Sequence, residues 1–214
     1  MLNRPGPEGD RYRRRHWGKR LAGIGAGVRI SEGAFFQRPE CIRIGDGSWI
    51  DRNALVMGGA STQQRVTKTK PNDPFPLEAG QVSIGRGVHV SPNCVLSGIG
   101  GLFIGDYAGV AANALIYSTS AHYRNLVDPA DPRQYAYTPR APLDQQAMVS
   151  SPVYIAEYCG VGPHCLILPG TRLERGTWVA PGCVVRGHWG PQTLVSNGPG
   201  GLVEKPFTGL RLPD

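Results

Sequence analysis

Large apolar residues recur in this chain at every sixth position. The series runs Ile30 and Phe36; Ile44, Ile50 and Val56; Ile84, Val90 and Leu96; Ile104, Val110 and Ile116; then Ile155, Val161, Ile167, Leu173, Val179 and Val185, seventeen positions without an exception. Neither a 3.6-residue helix nor an alternating strand generates a period of six, so both are disfavoured as the main element. A three-sided coil does generate it. Each six-residue face is a short strand plus a turn, eighteen residues close one coil, and stacked coils pair as parallel strands. Four positions after each large residue comes a second series: Ala34, Glu40, Ser48, Ala54, Ala60, Val88, Cys94, Gly100, Ala108, Ala114, Ser120, Cys159, Cys165, Thr171, Thr177, Cys183 and Trp189. Only Glu40 and Trp189 are neither small nor β-branched, which suits an inward position near a corner with little room. Gly stands directly after the large residue at Gly45, Gly85, Gly105 and Gly162, and this predicts turns of positive φ. The pairs Ile42/Ile44, Val82/Ile84, Leu102/Ile104 and Val153/Ile155 add two residues at coil starts and predict one enlarged corner.

Thirty Gly and nineteen Pro among 214 residues fit a turn-dense β protein, and a length of this order suits one domain with trimmings. The fold class expected is all-β: a parallel β-helix of about six coils spanning residues 28–187. Two stretches break the period, about 57–81 and 117–152, and are long enough to be covers or subunit contacts. Residues 188–214 are expected to cap the open end of the coil, where strand edges would otherwise stand unpaired. Residues 1–27 read as a basic, solvated arm: Arg4, Arg11, Arg13, Arg14, Arg15, Lys19 and Arg20 against Glu8 and Asp10 supply five of the formal net charge of +7. The other two charges are too few to mark the coil as a nucleic-acid binder, although the arm leaves room for weak contact with a polyanion or a membrane surface. No apolar run approaches the length of a membrane span, and no secretory signal stands at the start. Four of the five cysteines (Cys94, Cys159, Cys165 and Cys183) fall at the small inward position and read as fillers, consistent with a reducing cytoplasm; Cys41 is off register.

Five histidines are candidates for proton chemistry, because an imidazole titrates near neutral pH. His16 lies in the arm, His188 in the cap, His89 at an outward position and His164 in a turn beside Pro163. His122 differs: it stands where the regular coil ends and the 117–152 interruption begins, a rigid platform beside a cover. The gaps separating His89, His122, His164 and His188 hold no close pair of the kind a zinc site on adjoining coils would need, so no metal is expected.

Three segments, IGDYAGVAANALIYSTSAH ending at His122, IAEYCGVGPHCLILPGTRL ending at Leu173, and SNGPGGLVEKP ending at Pro206, resemble the hexapeptide-repeat acyltransferases, in particular the galactoside, maltose, xenobiotic and polysaccharide O-acetyltransferases. The resemblance covers about residues 28–205. It implies a left-handed coil, a homotrimer with active sites between neighbouring prisms, and acetyl-CoA as acyl donor with its pantetheine arm along the coils. It implies His122 as general base, one residue later than the family pattern, with Ser91 and Asn93 near the acceptor hydroxyl where the family has Asn first. For CoA it implies Gly162, Pro163, Ala180, Pro181, Arg186, the turn from Gly198 to Gly201, and Lys205. The chain departs from the pattern at Gly201, where Lys or Arg is common, and at Gly160, where Trp is common.

The resulting expectation is a cytoplasmic O-acetyltransferase acting on a sugar or other small hydroxylated acceptor, in the making of a cell-surface polysaccharide. An N-acetyltransferase acting on an amino sugar and a non-enzymatic β-helix scaffold stand as alternatives. No room remains for a nucleotidyltransferase domain, and the helical region of a serine acetyltransferase is missing.

Overall fold

The computed structural model describes residues 2–63, 65–70, 72, 74–209 and 211–212. The period of six becomes three parallel sheets that face one another across a common interior. Among the described residues, the first sheet stacks Gly23–Ile24, Ile42–Ile44, Val82–Ile84, Leu102–Ile104, Val153–Ile155, Arg172–Leu173 and His188–Trp189. The second stacks Arg29–Ile30, Trp49–Ile50, His89–Val90, Gly109–Val110, Gly160–Val161, Trp178–Val179 and Thr193–Gly198; the third stacks Phe35–Gln37, Leu55–Met57, Val95–Ser97, Leu115–Tyr117, Leu166–Ile167 and Val184–Val185. Successive strands visit the three sheets in turn.

All seventeen large positions are buried, eleven of them with no exposed surface. Burying an aliphatic side chain of this size contributes about 1.5–3 kcal/mol, so the interior row of each sheet supplies the main driving force. The paired residues Ile42, Val82, Leu102 and Val153 are buried too, which makes the strands of the first sheet three residues long at those coils. Coil length follows: Ile24 pairs with Ile44 and Ile84 with Ile104 at twenty residues, Ile155 with Leu173 at eighteen, and Leu173 with Trp189 at sixteen. Of the small series thirteen are buried; Glu40 and Ala60 are exposed, and Ser120 and Trp189 are half-buried. After Leu115–Tyr117 the chain is leaving the coil, and Ser118 is buried where Ser120 had been expected.

The turn reading of Gly45, Gly85, Gly105 and Gly162 is corrected, because none of the four has positive φ. They are glycine because adjacent coils touch there: a Cβ on Gly105 would lie 2.5 Å from the amide nitrogen of Glu157 and 2.7 Å from the carbonyl carbon of Ala156. The left-handed corner residues are others. One corner carries Asn53, Asn93, Asn113 and His164, at φ of 56–61°; Asn tolerates that region better than most residues.

The arm is corrected as well. Residues Gly6–Gly18 form an α-helix that packs on the first coil. Arg13 is 1% exposed. Its guanidinium donates to the carbonyls of Ile30 at 2.8 Å, Leu2 at 2.8 Å and Arg4 at 2.7 Å, and to Asp10 at 2.5 Å. Trp17 stands edge-on against Phe35 and Phe36. At the other end, the expectation that the coil stops at residue 187 is corrected. His188–Trp189 and Thr193–Gly198 continue two sheets in parallel, and only Gly201–Pro206 turns back antiparallel to close the edge.

The two interruptions meet in a separate three-stranded sheet. Thr119–His122 pairs antiparallel with Ala147–Ser150, whose other edge takes Val66–Thr69 in parallel. Asp131 ties the longer interruption together by accepting from Asn125 at 3.1 Å, the Tyr135 hydroxyl at 2.7 Å and the Arg133 guanidinium at 2.8 Å.

Candidate functional site

Most of the residues singled out from the sequence fall into distinct clefts on different corners of the prism. The first, of about 580 Å³, runs along the second sheet and the corner that follows it, and holds Ser91, Gly162, Pro163, Ala180 and Pro181 together. Register explains the grouping. Val90, Val110, Val161 and Val179 are successive partners in one sheet, so the residues just after them share the same corner. Because that corner carries Ala111, Gly162 and Ala180 beyond Ser91, several coil edges of backbone lie bare. The floor is bare as well: the outward row reads His89, Gly109, Gly160, Trp178. The Trp178 indole lies against Gly160, where a Cβ would come within 3.1 Å of its ring. The Trp178 indole of the following coil thus fills the space beside Gly160.

His89 also faces this cleft, which its outward position in the repeat left unassigned. Its ring stacks on Trp49 at 4.6 Å and 17°, and its Nε2 lies 3.4 Å from Oδ2 of Asp51. The residues sit on neighbouring coils, but the first interruption separates them in sequence. Ordering the chain by coil and not by residue number would have shown the pairing.

His122 lies at another corner. It ends the strand Thr119–His122 and faces a cleft of about 570 Å³ with Ser120, Lys70, Leu168, Pro169, Gly170 and Arg186. The interruption therefore lies beside the turn of Leu168, Pro169 and Gly170. The Nδ1 of His122 lies 3.1 Å from both the amide nitrogen and the carbonyl oxygen of Arg124. When Nδ1 carries the proton it donates to that carbonyl and Nε2 presents a free lone pair; when Nδ1 accepts the Arg124 N–H the proton sits on Nε2. The ring is half-buried and stacks on Tyr123 at 4.8 Å.

Arg186 also lines a third cleft, of about 730 Å³, with Gly198 and Gly201. Asn93 and Lys205 line none of these three clefts. Asn93 is a left-handed corner residue whose Oδ1 accepts from Asn53 Nδ2 at 3.2 Å, so its place is explained by the turn. Lys205 is exposed on the terminal hairpin, opposite Leu194.

The inward cysteines are fillers. Burial pushes the Cys94 thiol up to about 11 and the Cys159 thiol up to about 12, far from the thiolate a nucleophile needs. Among the described residues no three His, Cys, Asp or Glu side chains gather at a point that could hold a metal ion. No described helix is long and apolar enough to cross a membrane.

No family profile matches the chain. It is 23% identical over 163 residues to an Escherichia coli dTDP-4-amino-4,6-dideoxy-D-glucose acyltransferase, covering 76% of this chain and 71% of that protein. Among solved structures it is similar in fold to AntD, an N-acyltransferase from Bacillus cereus. One point variant of AntD, in complex with dTDP and coenzyme A, superposes with a TM-score of 0.69 at 19% identity, over 89% of this chain and 87% of that one. Another, in complex with dTDP-4-amino-4,6-dideoxyglucose and coenzyme A, gives 0.68 at 16% identity over 96% and 91%.

Proposed function

We infer that this chain, which has the fold of the hexapeptide-repeat acyltransferases, is a coenzyme A-dependent acyltransferase with a sugar acceptor. The observation that carries the reading is the first cleft. Small residues on consecutive coils, Gly162 and Pro163 and then Ala180 and Pro181, leave an apolar wall along the coil axis. Coils rise by about 4.8 Å, so an extended pantetheine arm can lie across several of them with its amides close to backbone groups. Arg186 is exposed and lines the His122 cleft, not the apolar wall, so it offers a cation to the phosphates only from a neighbouring prism.

The chemistry needs a base, an oxyanion donor and two substrates held in line. His122 is the base we assign, acting through Nε2, and backbone N–H groups hold the oxyanion. His122 and the apolar wall lie on different corners, so one prism cannot bring them together. Two identical prisms can, corner to different corner. Such a head-to-tail contact forms a ring where the rotation closes, and the resemblance to the hexapeptide-repeat acyltransferases implies a homotrimer. The coil is read as left-handed, and a cytoplasmic setting, where CoA thioesters are available, agrees with the free cysteines.

O-acetylation of a sugar hydroxyl is the reading the sequence suggested. Acylation of an amino sugar carried on a nucleotide has more support, because the Escherichia coli relative is named for such an acceptor. Either product suits the making of a cell-surface polysaccharide.

The test is a screen of nucleotide-linked sugars and amino sugars with acetyl-CoA, following thiol release. His122→Ala is expected to lower turnover by on the order of 10²–10⁴ with the circular dichroism spectrum unchanged. Unchanged turnover removes His122 from the role, and no thiol release with any acceptor removes the acyltransferase reading.

A further inference from the structure

The apolar cleft has one polar end, and His122 takes no part in it. His89 and Ser91 stand there on one coil, and Asp51 on the coil before, since Ile50 is the register partner of Val90. Asp51 is 6% exposed. Its Oδ1 accepts the backbone N–H of Arg52 at 2.7 Å while Oδ2 faces His89 Nε2 at 3.4 Å. Trp49 stacks on the face of the His89 ring and favours this orientation, and Trp49 itself donates its Nε1–H to Ser31 Oγ at 2.8 Å. A carboxylate turned toward an imidazole, with the imidazole held against a cleft, is the arrangement that makes a proton acceptor. The cations nearby are engaged elsewhere: Arg29 lies over the far face of Trp49 and pairs with Asp10, and Arg52 pairs with Glu32. The other titratable groups lining the cleft are Tyr107, Tyr158 and the buried Cys159, with the buried Cys94 thiol on the interior side.

We propose that Asp51 and His89 form a second proton-accepting pair, which fits the acceptor end of the cleft to a protonated amine. This rests on the acyltransferase reading above. A hydroxyl acceptor gives up one proton and needs one base. An ammonium gives up two. His89 takes the first, leaving a neutral amine whose lone pair forms the C–N bond with the thioester carbonyl. The C–S electron pair leaves with sulfur, the second nitrogen proton passes through His122 to the thiolate, and His89 returns its proton to solvent. The products are the amide, CoA thiol and one proton. Asp51 stabilises the imidazolium and holds the ring, and Ser91 is placed to accept from the amine.

The experiment measures kcat/KM against pH for the full-length protein with acetyl-CoA and dTDP-4-amino-4,6-dideoxyglucose. The variants are His89→Gln, His89→Phe, which keeps a ring against Trp49, Asp51→Asn and His122→Ala. Both His89 variants are expected to lose on the order of 10²–10⁴ at pH 6, and to regain about tenfold per pH unit until the substrate amine is itself unprotonated. Asp51→Asn should show a smaller loss of the same shape, and His122→Ala a loss that does not recover. If wild-type protein releases thiol and the His89 variants follow its profile, or lose the same factor at every pH, the pair has no proton role and only this inference falls. If wild-type protein acylates sugar hydroxyls and no amine, the inference also falls while the acyltransferase reading stands. No acyl transfer to any acceptor overturns both.

Discussion

Gly105 and Gly109 lie on the same coil, and replacing each by alanine should have unequal effects. A methyl on Gly105 would start 2.5 Å from the Glu157 nitrogen, whereas nonbonded carbon contacts are most favourable near ~3.5–4.0 Å. The two coils must part by about 1 Å there, at a point where the Gly105 N–H donates to the Ile155 carbonyl at 2.7 Å. Overpacking of this kind costs about 1–3 kcal/mol, and weakening that bond costs about 0.5–1.5 kcal/mol. The expected loss for Gly105→Ala is therefore about 2–4 kcal/mol, or roughly 4–16 °C in Tm for a domain of this size. Gly109 has no heavy atom within 4 Å of its Cβ position and no positive φ. There Gly→Ala should be neutral or stabilise by up to about 1 kcal/mol, through reduced freedom of the unfolded chain. Urea titrations followed by tryptophan fluorescence, with calorimetry for Tm, read both variants. Equal effects, or an unchanged Gly105→Ala, would refute the claim that glycine is set here by coil-to-coil contact.

Thiol labelling tests the filler assignment. At pH 8 a thiol pushed up to about 11 or 12 is only about a thousandth or less in the reactive form, so iodoacetamide should modify half-buried Cys41 in native protein, and Cys94 and Cys159 only in urea. Labelling of Cys159 as fast as Cys41 would contradict this. The Asp131 cluster carries a pH dependence. Its carboxyl is held below the usual carboxylate range, first by the Arg133 guanidinium and then by the Tyr135 hydroxyl. A depressed carboxyl stabilises the fold fully above its unfolded value, about 3.9, and that contribution shrinks steadily as pH falls from there to the folded value. Nicking of residues 117–152 by pepsin should therefore stay slow at pH 4 and accelerate only nearer pH 2; acceleration already at pH 4 would contradict it.

The interior was legible because its signal is local and repeated: one position in six must fill the prism, and every such residue is buried. The glycines after Ile44, Ile84 and Ile104 were misread for an equally physical reason. A residue without Cβ serves positive φ and close approach alike, and one sequence does not distinguish them. The helix at Gly6–Gly18 hid behind its charge, although Gly9, Arg13 and Trp17, its buried positions, follow a helical i, i+4, i+8 spacing. Ser91, Gly162, Pro163, Ala180 and Pro181, which the resemblance singled out, share a cleft because the repeat sets them at one corner. His89 and Asp51 were not, because their closeness depends on how many residues the first interruption removes from the coil.

The small sheet that carries His122 has an implication for how the chain is made. Thr67 finds its partner Met148 only after eighty-one further residues, and Thr119–His122 waits for the same strand. Emerging from a ribosome, the early coils can stack as soon as they appear, since each partner is at hand. The clasp across them cannot fasten until residue 150 is out, so a nascent chain arrested earlier would have its first coils stacked and no seated imidazole.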